Sequence, residues 1–184
     1  IREHFSELLR KSGYTGFVHL KFRRMYDGTA NALALPDGTV VVTDGLIQLA
    51  ADDDQIMAVL AHELGHLHHR HSLRQLLQNS FTLLLVTSIT GDTSAVGNVA
   101  AALPLAVLSA KYSRDHEREA DAFALALLMD AGIPPGAFIQ IMTRIEQDTR
   151  RIYQNSPPPF LSTHPPTDER LDTYRKAIDA EKSF

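Results

Sequence analysis

Residues 62–66 read His-Glu-Leu-Gly-His, inside an apolar-periodic stretch that runs from Asp52 to Leu76. An α-helix turns once every 3.6 residues, so positions four apart share a face. His62 and His66 therefore project from one wall of the predicted helix, at a separation that suits a single zinc ion. Glu63 stands one residue on, within reach of a water activated by such a metal. The helix is well signalled: Asp52 caps its start, and Ile56, Met57, Val59, Leu60, Leu64 and Leu67 form an apolar stripe. The plain alternative is a surface-facing histidine pair beside a charged glutamate. His68, His69 and His71 continue the same predicted helix and read as solvated or locally hydrogen-bonded.

A catalytic zinc takes three protein ligands and leaves a position for water, so a third donor is needed. One arrangement, H-E-x-x-H-x-x-G-x-x-H, supplies a histidine. Here the glycine and histidine positions hold His69 and Ser72, which excludes it. The other draws a glutamate from a separate helix. Residues 113–121 read Ser-Arg-Asp-His-Glu-Arg-Glu-Ala-Asp, and helical apolar spacing follows through Phe123, Leu125, Leu127, Leu128 and Met129. Glu117 can ligate, while Asp121, one turn on, reaches the far nitrogen of a zinc histidine and fixes its tautomer. Glu119 points elsewhere on the helical wheel. The competing reading makes Arg114, Asp115, Glu117, Arg118 and Asp121 a solvated, ion-paired face.

Four blocks, in one order, resemble the HtpX-like and CAAX-prenyl-protease metallopeptidases, which are gluzincins. Residues Asn31 to Leu46, with Pro36-Asp37-Gly38 at their centre, resemble the strand pair of that family. Ala61–His66 resembles its zinc helix. Tyr112-Ser113-Arg114 with Glu117, Ala120 and Asp121 resembles its glutamate helix, and Ser162-Thr163-His164-Pro165 with Glu169-Arg170-Leu171 its C-terminal block. The resemblance implies an α+β fold: a mainly helical zincin-like metallopeptidase domain with a small three-stranded sheet and the H-E-x-x-H helix at its active site. It also implies that His164 lies at that site, against the alternative of a loop histidine held between prolines. The strand Asn31, Ala32, Leu33 is expected beside the cleft, as an edge on which extended polypeptide can pair.

Elsewhere the pattern predicts a short helix over residues 1–11 and strands at 17–22, 30–35 and 39–43, the last two joined by the Pro36-Asp37-Gly38 turn. Asp44 is expected to cap a short helix. From Phe81 to Leu108 the chain is largely apolar but broken by Gly91-Asp92-Thr93-Ser94, Gly97-Asn98 and Pro104. Spanning a bilayer takes about 20 apolar residues, so a buried helical hairpin is expected there. Membrane association through residues 81–108, or through sequence preceding Ile1, stays open. Further helices are expected at 113–132, ending at Gly132, and at 136–153 and 167–180, with a proline-rich loop over Asn155–Phe160. The segment from Gln154 to Pro166 is expected to lie over the zinc cleft.

At 184 residues and 44% hydrophobic, the chain can bury the core of a single domain, 1–184. The polar start and missing initiator methionine suggest the catalytic part of something longer, with any targeting sequence outside it. A net charge of −4 gives nucleic acid no basic patch, and the absence of cysteine excludes thiolate metal sites. The functional expectation is a zinc endopeptidase with about one Zn2+ per chain on His62, His66 and Glu117. Glu63 is the general base and His164 or, less strongly, Tyr112 the oxyanion donor. Its substrate is polypeptide, its role protein quality control and its location the bacterial cell envelope; nothing in the sequence fixes the oligomeric state. The rival class is a non-hydrolytic, chaperone-like zinc module that holds misfolded polypeptide.

Overall fold

The computed structural model describes residues 1–90, 112–152, 159–164 and 168–181. Its sheet has three strands, β1 (His19–Arg23), β2 (Ala32–Ala34) and β3 (Thr39–Thr43), in the order β1-β3-β2. β2 and β3 form the expected hairpin. Gly38 supplies the left-handed turn residue at φ +84°, and the Asp37 carboxylate accepts from the Thr39 amide at 2.9 Å, which holds that carboxyl below its ordinary pKa. β1 runs parallel to β3 on its far side, so β2 is left at an edge.

The helices are α1 (Arg2–Lys11), α2 (Asp44–Leu49), α3 (Asp53–His68), α4 (His71–Thr90), α5 (Arg114–Ala131), α6 (Gly136–Ile152), α7 (Pro159–Thr163) and α8 (Asp168–Glu181). With the small sheet they make the α+β, mainly helical architecture that the sequence implied. Local chemistry sets most of the boundaries. Asp52 caps α3 by accepting from the Gln55 amide at 2.9 Å, Ser113 caps α5, and Gly132 ends α5 at φ +73°. Thr43, rather than Asp44, caps α2; the Asp44 carboxylate instead accepts from the Met25 and Gly45 amides.

α3 is the central helix. Every residue from Gln55 to Leu67 is buried, so the one-sided stripe read from the sequence is in fact a helix enclosed on all sides, packed against α1, α5, α6 and β2. It is also shorter than the periodicity suggested. The chain breaks at His69 and Arg70, where Arg70 adopts φ +55°, and α4 starts afresh at His71. The expected buried hairpin is not what α4 shows: Phe81, Leu85 and Ile89 are 62%, 48% and 83% exposed. The second half of that hairpin, and residues 154–158 and 165–166 of the segment expected over the cleft, lie outside the described residues. Pro159 and Phe160, placed in a loop by the sequence reading, open α7. Among the described residues no helix is long and apolar enough to cross a membrane.

α3 and α5 touch backbone to backbone. A Cβ placed on Gly65 would lie 2.8 Å from the Ala120 carbonyl oxygen and 2.9 Å from its Cα. Only the missing side chain lets the helices close to this distance, and Glu117 and Asp121 flank the contact one turn apart. Gly65→Ala is therefore expected to force the helices apart and cost about 1–3 kcal/mol, as overpacked cores do. Chemical denaturation of the metal-free protein measures this; an unchanged midpoint would mean that the contact is soft.

Candidate metal centre

Four buried side chains from three elements converge. His62 and His66 come from α3, Glu117 from α5, and His164 from the residue after α7. The Nε2 atoms of His62 and His66 are 3.0 Å apart, and His164 Nδ1 lies 3.2 Å from His62 Nε2 and 3.0 Å from Glu117 Oε1. Glu117 Oε1 is 3.4 Å from His66 Nε2, and its Oε2 is 3.5 Å from His62 Nε2. All four residues are 2% exposed or less.

These separations suit a zinc ion. Tetrahedral zinc with arms of about 2.0–2.1 Å has donor–donor edges of about 3.3–3.4 Å, inside the observed span. The charges agree too. Among the described residues, Glu63, Glu117 and Asp121 bring three carboxylates into the interior against the guanidinium of Arg170, and with the histidines neutral a dication matches the difference. Glu63 itself is wholly buried, and neither carboxylate oxygen has a hydrogen-bond partner among the described residues, with His164 Nε2 3.5 Å away. That is a costly state for a carboxylate without a reacting partner.

Asp121 Oδ1 sits 3.0 Å from His62 Nδ1, on the side of the ring away from the cluster. Arg170 of α8, which the sequence reading did not single out, ties the site together. It donates to both Asp121 oxygens, from Nε at 2.6 Å and Nη2 at 2.8 Å, and its Nη1 reaches Glu117 Oε2 at 2.6 Å. Burial raises the pKa of both acids, but for Asp121 the bonds to Arg170 and His62 outweigh it. For Glu117 the nearby His164, with His62 and His66, does so; Asp121 ends below its ordinary value and Glu117 far below the usual carboxylate range. The one sequence clue to Arg170 was its place in the C-terminal block.

His71, read from sequence as solvated or locally bonded, is fully buried. Its Nδ1 lies 3.0 Å from His66 Nδ1, and burial pushes its pKa down to about 4. Tyr112 stacks on His66 at 4.0 Å, but its hydroxyl is engaged with Ser72 Oγ at 2.6 Å, and Ser72 in turn donates to the Ala34 carbonyl. This engagement leaves Tyr112 poorly placed as an oxyanion donor. Glu119 points away from the cluster and binds His71 Nε2 instead. Asn31, Ala32 and Leu33 lie on the sheet edge. The ladder bonds at Asn31 and Leu35 face β3, so the outward backbone groups are those of Ala32 and Ala34 rather than Asn31 and Leu33.

Residues 1–178 match the sequence profile of Peptidase family M48. A putative β-barrel assembly-enhancing protease of Vibrio cholerae is 29% identical over 84% of this chain and 34% of its own length. The metalloprotease YcaL of Escherichia coli is 32% identical over 83% of this chain and 59% of its own length. The mitochondrial metalloendopeptidase OMA1 of Schizosaccharomyces pombe is 30% identical over 79% and 42%. The chain thus spans between a third and three fifths of the length of these relatives. The resemblance drawn from the four sequence blocks holds at the level of the family; these relatives are of the assembly-enhancing, YcaL and OMA1 kinds, not the HtpX or prenyl-protease kinds.

Protonation competes with the candidate ligand role of His62. Burial lowers its pKa, but bonds to Asp121 and Glu117 outweigh that and raise it from 6.5 to about 9 in the metal-free chain. A raised value stabilises the metal-free fold fully below about 6.5, and the contribution is lost as pH rises through about 9. Zinc loading at pH 7.5 should accordingly expel about one proton from His62, with the number falling as pH passes 9. Calorimetry in buffers of different ionisation enthalpy counts these protons. A count near zero at pH 7.5 would show that His62 is neutral before loading.

Proposed function

The chain belongs to peptidase family M48, and on that footing we propose that His62, His66 and Glu117 hold a zinc ion with which Glu63 hydrolyses peptide bonds. Membership makes it a metallopeptidase; the ligand set, the mechanism and the substrate are the proposal. The observation that carries it is the convergence of three donors beside a buried carboxylate with no hydrogen-bond partner among the described residues.

Zinc held by these residues would polarise a scissile carbonyl and lower the pKa of a water towards about 7. Glu63 accepts the proton of that water and later delivers it to the leaving amine. Asp121 orients His62 through the 3.0 Å approach of its Oδ1 to the ring Nδ1, and Arg170 holds Asp121 and Glu117 in place through its fixed fork of donors. His164 carries a second part of the proposal. Its Nδ1 lies among the donor atoms, and the cluster is closed to solvent, which supports a resting form in which His164 would also hold the ion. Once withdrawn, the same ring has an N–H to offer an oxyanion.

The substrate is polypeptide, for which the outward backbone groups of Ala32 and the Ala34 amide are the pairing edge; both residues are 1% exposed, so the edge has to be uncovered before a strand can add, and the Ala34 carbonyl already accepts from Ser72. The Vibrio cholerae relative is named for β-barrel assembly, and bacterial β-barrels of the membrane kind lie in the outer membrane. That supports a quality-control role in the cell envelope.

Two measurements test this reading. Glu63→Gln should keep about one zinc per chain and lose casein cleavage, whereas Glu117→Ala should lose most of the metal. Cleavage surviving in the Gln variant would remove Glu63 as the base, and zinc retained in the Ala variant would remove Glu117 as a ligand. His164→Ala should raise basal cleavage several-fold by opening the fourth position. Loss of activity in that variant would assign the residue to oxyanion binding, and unaltered kinetics would dispose of both roles.

A further inference from the structure

The centre continues outward through a fourth histidine. His71, the first residue of α4, links two partners: its Nδ1 lies 3.0 Å from His66 Nδ1, and its Nε2 lies 2.9 Å from Glu119 Oε2. The partners decide where the protons sit. An ionised Glu119 carboxylate can only accept, so His71 Nε2 carries the proton between them. A neutral ring protonated there has a lone pair at Nδ1, which can only accept in turn. The proton between the two rings therefore belongs to His66 Nδ1. That leaves the lone pair of His66 on Nε2, the atom that faces His62 and Glu117.

From this chain of contacts we propose that His71 and Glu119 are positioning residues: they hold His66 as the Nδ1–H tautomer and fix its ring plane for the metal. The proposal rests on the ligand set given above. Asp121 does for His62 directly what Glu119 does for His66 through an intervening imidazole. Flat neighbours hold both rings: Tyr112 stacks on His66 at 4.0 Å and His116 on His71 at 4.2 Å. His69, His71 and Glu119 also bring three donor atoms within 4.8 Å of one another. Two features oppose a second cation there. Arg74 Nη1 stands 3.7 Å from the same Glu119 oxygen, and a cation on His71 Nε2 displaces the proton that the relay needs.

The test uses the whole chain carrying Glu63→Gln, labelled with 15N at histidine and loaded with zinc. Three further variants are compared with this parent: His71→Phe, Glu119→Ala and Glu117→Ala. In the parent, a coupling across the hydrogen bond should connect the two Nδ1 atoms, with the one-bond proton splitting on the His66 side. His71→Phe should abolish that coupling and weaken zinc about 10-fold in competition with a chromophoric chelator. Glu119→Ala, at an exposed position that the fold tolerates, should weaken the coupling and lower affinity by about 3-fold. No coupling in the parent, or a proton on the His71 side, overturns the proposal. So does unchanged zinc affinity in both variants. Two zinc ions per parent chain, falling to one in His71→Phe, would make the cluster a cation site instead. Zinc retained by Glu117→Ala would refute the ligand reading itself, a result distinct from any failure of the relay.

Discussion

The distance between α3 and α5 governs this molecule. One helix brings the histidine pair and the other the glutamate and the aspartate, and their backbones meet at Gly65 and Ala120. Neither helix carries a complete site. Because the contact is backbone against backbone, no side chain can flex to absorb an error, and donor separations of 3.0–3.5 Å inherit that rigidity. The leucine and glycine inside the H-E-L-G-H run therefore have structural jobs as definite as those of its histidines: Leu64 is fully buried in the core and Gly65 sets the spacing.

Electrostatics closes what packing begins. Enclosing Glu63, Glu117 and Asp121 in apolar surroundings is unfavourable unless their charge is matched, and Arg170 matches part of it from the far end of the chain. Its guanidinium leans over Phe138, which also stacks on Tyr174, so the charged centre is seated on an aromatic floor. α8 is thus fastened to α5 by chemistry that belongs to the site, and the stability of the one depends on the composition of the other.

Much of this was legible in the sequence because it is local. The i, i+4 spacings of His62 with His66 and Glu117 with Asp121, the caps at Asp52 and Ser113, and the hairpin turn at Gly38 each need only neighbouring residues to be read. Three features were not legible, two because they depend on distant contacts and one because no residue type signals it. Arg170 meets Asp121 across 49 positions of chain. β1 pairs with β3 rather than with its neighbour in sequence. The break after α3 rests on Arg70, a residue type that carries no turn signal yet adopts a left-handed conformation; with the break unseen, His71 was read as one more solvated or locally hydrogen-bonded residue of the same helix.

That break at Arg70 has a mechanical side. Helix α4 leaves it as a rod of about 30 Å at the standard helical rise. Its first turn is pinned at the centre by His71 against His66 and by Ser72 against Tyr112 and Ala34. Its outer face displays Leu77, Phe81, Leu85 and Ile89 to the surroundings. A rod fastened at one end and greasy along its length is a lever arm with its fulcrum at the histidines of the candidate centre. Force applied to the distant apolar face is delivered first to the imidazole that steadies His66.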